Sequence, residues 1–477
     1  MRTGAPGSGC LELMGPEVPA SAVVSARELL ADAARRAASF LDALPRRAVP
    51  PSAAALAALE RLDAPLPQGP TEPAAVLARL DEIVSPATMA TAGPRFFGFV
   101  IGGALPVTVA ANFLATAWDQ NAALSQAAPG VAHLEQLVLR WLRELFALPA
   151  DTAGAFVTGG TMANLTALAA ARHRVLARAG WDVEADGLFG APAVNVVVGA
   201  EAHPTLFKAL GVLGLGRERV IRVRVDRQGR LDAAALPALV GPTIVCAQAG
   251  NVNSGAFDPL PAICDWAQGC GAWVHVDGAF GMWARVAPAF APLAAGLERA
   301  DSWSTDAHKW LNVPYDSGIA LVRDAQALRA AMSVAAAYLP TDAGGRNPSD
   351  CTPELSRCAR AVDIWAALAS LGRSGTADLI ERCCRHAQRF AAGLRDAGLE
   401  ILNEVVLNQV LVSFGTPERT RRVIEAIQAD GTCWCGITEW QGRTAMRISV
   451  SSWATTEADV ERSIGAMLRA YRSTGPA

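Results

Sequence analysis

Of the 42 basic residues in this chain only two are lysines, Lys208 and Lys309, and the other 40 are arginines. Where charge alone matters either residue serves, but a guanidinium stays protonated and forms no imine, so a surviving lysine is a candidate for amine chemistry. Lys309 lies in Ser302-Trp-Ser304-Thr-Asp306-Ala-His308-Lys309-Trp-Leu. That tryptophan-bearing, apolar setting disfavours an ammonium and suits a nucleophilic amine; a surface lysine snorkelling from a helix end is the competing reading. Upstream, Trp273-Val-His-Val-Asp277-Gly-Ala279 reads as a buried strand ending in an aspartate, and ligands of open parallel sheets lie beyond such carboxyl ends. Alone, a strand-end aspartate also serves as a metal ligand, helix cap or loop residue. Val157-Thr-Gly159-Gly160-Thr161-Met-Ala-Asn164 reads as strand, glycine turn and helix start, where free N–H groups and the helix dipole can hold a phosphate. Glycines also serve plain tight turns. His203, in Ala202-His203-Pro204-Thr205, opens a helix just after a strand; its imidazole can lie flat on an aromatic ring or simply bond locally.

These residues need a scaffold, and the hydrophobic patterning supplies one. From about residue 130 it predicts helices over 131–146, 162–179 and 204–213, and strands over 155–157, 194–198, 220–225, 243–247, 273–276 and 318–322. Such alternation means an α/β fold with a mostly parallel sheet covered by helices. Residues 1–95 are rich in Ala and Pro, with helical spacing over 25–44 and 52–62. After residue 360, helices over 360–371, 377–397 and 457–471 and strands over 410–414 and 446–450 predict a smaller C-terminal α+β domain. The expected divisions are therefore an N-terminal helical segment 1–95, a large domain 96–360 and a small domain 361–477.

Composition narrows the partners. The chain is 51% hydrophobic and 18% charged, enough for a large core, and its net charge of -3 comes without basic runs interleaved with aromatics. Neither nucleic acid nor an anionic membrane is expected, which leaves small molecules. No Walker loop occurs, and Gly211-x-x-Gly-x-Gly216 does not supply a dinucleotide fingerprint. Glu12 and Glu17 interrupt any signal-peptide core, and Gly102, Gly103, Pro106 and Asn112 break the uncharged run from Phe96 to Trp118. The ten cysteines lack paired C-x-x-C spacing; reduced thiols in a cytoplasmic protein without a metal are expected.

Taken together, the four motifs resemble the group II pyridoxal phosphate decarboxylases, which include aromatic amino acid, glutamate, histidine and cysteine sulfinate decarboxylases. The likeness covers most of the chain, and its most specific part is Ser302-Trp303, then Lys309-Trp310-Leu311, then Tyr315 at the required spacing. It implies a fold type I enzyme with a seven-stranded large-domain sheet, helices on both faces, and pyridoxal 5'-phosphate held as a Schiff base on Lys309. It further implies that Asp277 pairs with the pyridine nitrogen, Ala279 packs beneath the ring and His203 stacks above it. Gly160, Thr161 and His308 would hold the phosphate, with Ser304 and Asp306 as further candidates. A protonated pyridine makes the cofactor an electron sink, and an ionised aspartate keeps that proton in place. The family protonates its carbanion with a loop tyrosine contributed across a homodimer interface, which Tyr338 matches, and Thr341 to Pro353 is composed as a lid would be. An N-terminal arm wrapping the partner is implied too. Arg447 resembles an arginine that meets a substrate carboxylate in related chains; a structural ion pair is its competing reading.

The chain also departs from the pattern. Asp306 stands where the family often has Asn, Asn251 or Val252 where it has Thr, and Ser317 where a Cys is common, while Gly255-Ala-Phe-Asp258 replaces a more polar turn. These changes spare the cofactor site and weaken any transfer of substrate identity. Decarboxylation of an aromatic or acidic L-amino acid is the expectation. The rivals are a carbon-carbon lyase resembling sphingosine phosphate lyase, an aldehyde-forming oxidative deaminase, and a silent pyridoxal phosphate binder with a regulatory role.

Overall fold

The structure is a computed structural model and describes residues 25–334 and 346–475. Tyr338 and the first part of the Thr341 to Pro353 stretch lie outside the described residues. The chain forms two compact units. The first, residues 25–43 and 51–89, carries the helices Ala26–Ala43, Ala53–Ala57 and Pro73–Ala87. Their starts are written locally: the Ser52 side chain accepts from Ala55 N, and Glu72 does the same for Ala75 N with Pro73 in the first turn.

The second unit contains the large sheet. Its strands are β1 (Ala153–Val157), β2 (Asn195–Gly199), β3 (Ile221–Val223), β4 (Thr243–Gln248), β5 (Trp273–Asp277), β6 (Ser302–Asp306) and β7 (Gly318–Val322). They lie in the order β1-β7-β6-β5-β4-β2-β3, with β7 antiparallel to both neighbours and every other pair parallel. Side chains alternate between two cores, as a period of two demands. Phe156, Val245, Val274 and Val276 enter one; Val157, Val198, Ile244 and Cys246 enter the other. A sheet buried on both faces needs helices on both, and the expected seven-stranded α/β architecture with a smaller domain is what the chain adopts.

Strand β6 was not legible as a strand. Four of its five residues carry polar side chains, yet all five are buried, because serine hydroxyls on this strand find partners on β5 and on the helix Gly160–Arg178. The smaller sheet comprises β8 (Glu400–Ile401), β9 (Gln409–Ser413), β10 (Gly436–Trp440) and β11 (Arg443–Ser449), antiparallel in the order β10-β11-β9-β8. The two helices expected over 360–371 and 377–397 form one element, Ala361–Asp396, turned at Gly372, whose φ of 62° favours glycine. Among the described residues no helix is long and apolar enough to cross a membrane.

Candidate active site

β1, β2, β5 and β6 run parallel, so the segments that follow them emerge at one edge of the sheet. There they line a cavity of ≈ 310 Å³. Gly159, Gly160 and Thr161 come from the turn after β1, His203 from that after β2, Asp277 and Ala279 from the end of β5, and Asp306, His308 and Lys309 from the end of β6.

One end of the cavity suits an anion. The helix Gly160–Arg178 starts at Gly159 without a side-chain cap, so its first N–H groups remain available to a ligand. Gly160 is there because nothing larger fits: a Cβ would stand 2.9 Å from Asp306 Oδ2. Gly160→Ala is expected to weaken cofactor loading at least ~10-fold, the loss of roughly one charge-assisted hydrogen bond, while leaving melting close to that of the apo protein. A fluorescence titration with pyridoxal phosphate reads this directly. His308 Nδ1 accepts from Ser317 N at 3.1 Å, which leaves its ring proton on Nε2 as a donor. Burial, the largest cause, lowers its pKa, so the ring is held neutral.

Lys309 does not sit in simply apolar surroundings, as its tryptophan neighbours had suggested. Its Nζ is 2.9 Å from Asp306 Oδ2, and the other oxygen of that buried carboxylate has no hydrogen-bond partner. An ionised carboxylate only accepts, so this geometry directs Asp306 at the amine and gives it no proton to offer a phosphate. The lysine loop is pinned by Asn312, in the left-handed region at φ 56°. Its Nδ2 donates to Trp310 O at 2.8 Å and Ser451 O at 3.0 Å, and its Oδ1 accepts from Trp453 N at 2.8 Å. Gly102 completes the clamp, since a Cβ there would come within 1.9 Å of Lys309 O. Asn312 did not stand out in the sequence, and Gly102 did so only as a break in an uncharged run.

Asp277 is buried at the end of β5, and each of its oxygens has a protein donor. Ala279 N reaches Oδ1 at 3.2 Å, and Asn164 Nδ2 reaches Oδ2 at 3.1 Å. Asn164 is a further residue that sequence reasoning did not single out, although it closes the glycine motif quoted above. His203 caps the helix Pro204–Val212: its Nδ1 accepts from Thr205 N at 3.3 Å and is 2.7 Å from Thr205 Oγ1. Burial, more than the neighbouring Lys309 and Arg447 charges, lowers its pKa against the opposing pull of Asp277. A neutral imidazole results, able both to bond locally and to face a ring.

Arg447, on β11, donates to Val252 O at 3.2 Å. Among the described residues it has no carboxylate partner, so the structural ion pair is not what occupies it. Burial lowers its pKa. Ser304 does not line the cavity; its hydroxyl donates to Asn164 Oδ1 at 2.6 Å.

These groups fit pyridoxal phosphate: unused helix N–H groups beside a glycine for the phosphate, an amine for the aldehyde, and a buried carboxylate able to accept from a ring N–H. The comparisons agree. The model of the pyridoxal-dependent decarboxylase conserved domain matches residues 56–415. An aromatic-L-amino-acid decarboxylase of Bacillus atrophaeus is 29% identical over 422 residues, covering 83% of this chain and 85% of the relative. An L-2,4-diaminobutyrate decarboxylase of Rhizobium meliloti is 31% identical over 343 residues, 69% of this chain and 67% of the relative. The crystal structure of Oryza sativa TDC with PLP and tryptamine superposes with a TM-score of 0.87 at 25% identity, over 94% of this chain and 97% of that one. Family, fold type I architecture and site chemistry coincide, and the chain belongs to the pyridoxal-dependent decarboxylases, with pyridoxal 5'-phosphate as its cofactor.

Proposed function

We propose that the protein converts an L-amino acid, aromatic or acidic, into its primary amine and carbon dioxide, with Lys309 as the residue that binds the cofactor. The observation that carries this reading is the convergence of Lys309, Asp277 and the uncapped start of the helix Gly160–Arg178 on one cavity. When bound, the cofactor supplies an electron sink for the pair left on the α-carbon. Asp277 holds a proton at the ring nitrogen. Neutral His203 and Ala279 confine the ring, and Gly160, Thr161 and His308 hold the phosphate. Arg447, a guanidinium without a carboxylate partner among the described residues, binds a substrate carboxylate. The bond from the α-carbon to the departing carboxylate breaks, carbon dioxide leaves, and Tyr338 delivers the proton that replaces it.

A homodimer belongs to this reading, with Tyr338 reaching the partner's site. The helix Pro106–Trp118 leaves Phe113, Leu114 and Trp118 exposed, and Phe99 is 61% exposed; large apolar side chains left open in this number suit an interface. The helix Ala26–Ala43 buries none of its residues, as suits an arm whose contacts lie on another subunit. Sedimentation is expected to give a dimer, and the double variant Phe113→Asp, Trp118→Asp a monomer. Its turnover should fall ~10²–10⁴-fold, the value of a positioned proton donor. An active monomer would overturn the shared site. A cytoplasmic setting is part of the same proposal, and the nine cysteines of the described residues all stand as free thiols.

The test is to incubate cofactor-loaded protein with pooled L-amino acids and follow products by mass spectrometry. An amine lighter than its parent by carbon dioxide establishes the reaction and names the substrate. An aldehyde, a keto acid or a cleaved side chain would replace it with one of its rivals.

A further inference from the structure

Asp277 is set by more than its own strand. Asn164, fully buried, donates through Nδ2 to Asp277 Oδ2 at 3.1 Å. Its own Oδ1 accepts from Ser304 Oγ at 2.6 Å and lies 2.8 Å from His275 Nε2. The other ring nitrogen of His275 is 2.9 Å from Ser302 Oγ, and Trp273 Nε1 donates to that same oxygen at 2.8 Å. Every member is buried.

The donor types fix where each proton lies. An indole N–H can only donate, so Ser302 Oγ accepts from Trp273 and turns its own proton toward His275 Nδ1. Burial pushes the pKa of His275 down to about 4. The neutral ring then carries its single proton on Nε2 and donates it to Asn164 Oδ1. With that oxygen engaged twice, the amide cannot flip, because flipping would set oxygen against carboxylate and N–H against N–H. The donors therefore run one way, from Trp273 through Ser302, His275 and Asn164 to Asp277. Of the other titratable side chains near Asp277 and His275, His203 is held neutral by burial and Cys246, on the adjoining β4, has its thiol pushed well up by burial. Lys309 and Asp306, which line the same cavity as Asp277, pair with each other at 2.9 Å.

We propose that this buried chain of Trp273, Ser302, His275 and Asn164 positions the Asp277 carboxylate to accept from the cofactor's ring nitrogen, making Asn164 and Ser302 positioning residues for the reaction. The proposal rests on the role given to Asp277 above. Together with Ala279 N on Oδ1, Asn164 stops the carboxylate from rotating and leaves its free lone pairs for an N–H donor in the cavity that Asp277 lines.

The experiment uses the full chain as holoenzyme and measures cofactor affinity, the visible absorbance band of the bound cofactor, and melting. Asn164→Leu removes both ends of the amide at similar volume. It should weaken cofactor binding ~10–100-fold, as expected for losing a hydrogen bond to a charged group, and shift the band. Ser302→Ala acts three hydrogen bonds away from Asp277; it should move both readouts in the same direction by a smaller factor, and Ser302→Thr, which keeps the hydroxyl, should restore them. A purely structural network would lower melting and leave affinity and band unchanged in Asn164→Leu and Ser302→Ala, which overturns the proposal. If Asn164→Leu does not fold, the comparison of Ser302→Ala with Ser302→Thr decides on the same readouts. Asp277→Asn separates the two levels. Wild-type affinity and band in that variant would refute the role of Asp277 itself, whereas their loss there but not in the relay variants refutes the relay alone.

Discussion

Lys309→Ala is expected to lower turnover at least ~10³-fold, because on the proposed assignment the variant loses both the amine that binds the cofactor and a group able to carry protons beside it. Borohydride reduction of the holoenzyme, which traps the cofactor on whichever amine holds it, should add its mass to the peptide containing Lys309 and to no other. With only two lysines the result is unambiguous. Lys208 is exposed on the helix Pro204–Val212 and does not line the cavity; label on its peptide would overturn the site. Lys309→Ala also removes the cation 2.9 Å from buried Asp306. Leaving a buried charge without its partner is costly, so this variant should melt lower. Lys309→Arg keeps the cation but forms no covalent attachment; it should melt nearer to wild type and be equally inactive. The pair separates chemistry from stability.

What could be read in advance depended on how far each signal was local. β4 and β7 announce themselves by continuous apolar runs, and β7 was placed to the residue. β6 did not, because Ser302 and Ser304 are buried through bonds to His275 and Asn164, 27 and 140 residues away, and sequence spacing says nothing about partners on other elements. The same holds for Asn312. Its clamp on the lysine loop needs Ser451 and Trp453 from the smaller domain, and the tolerance of Gly102 for the Lys309 carbonyl appears only once the two backbones meet. Lys309 and Asp277, which line the cavity, could be picked out as candidates because the chemistry of one is rare and the strand context of the other strong. Arg447 was ambiguous among forty arginines, and among the described residues it has no carboxylate partner.

Asp277→Asn should be the second large loss, ~10²–10⁴-fold in turnover, with substrate affinity changed far less. The range follows from removing one member of a buried charged pair, about 3–5 kcal/mol. The mutation keeps shape and most contacts: the asparagine carbonyl can still accept from Asn164 or from Ala279 N. On the role proposed for Asp277, what it removes is the negative charge that would stabilise a proton on the ring nitrogen of the bound cofactor, and with it the electron sink that the cofactor supplies to the α-carbon. The effect therefore belongs in the transition state more than in binding, and it should appear in kcat with KM nearly constant. A raised KM at unchanged kcat would mean that Asp277 only helps to seat the substrate. Single-turnover measurements add a second check, since they must show the bond-breaking step itself slowed, and an unchanged step with slower product release would remove Asp277 from the chemistry.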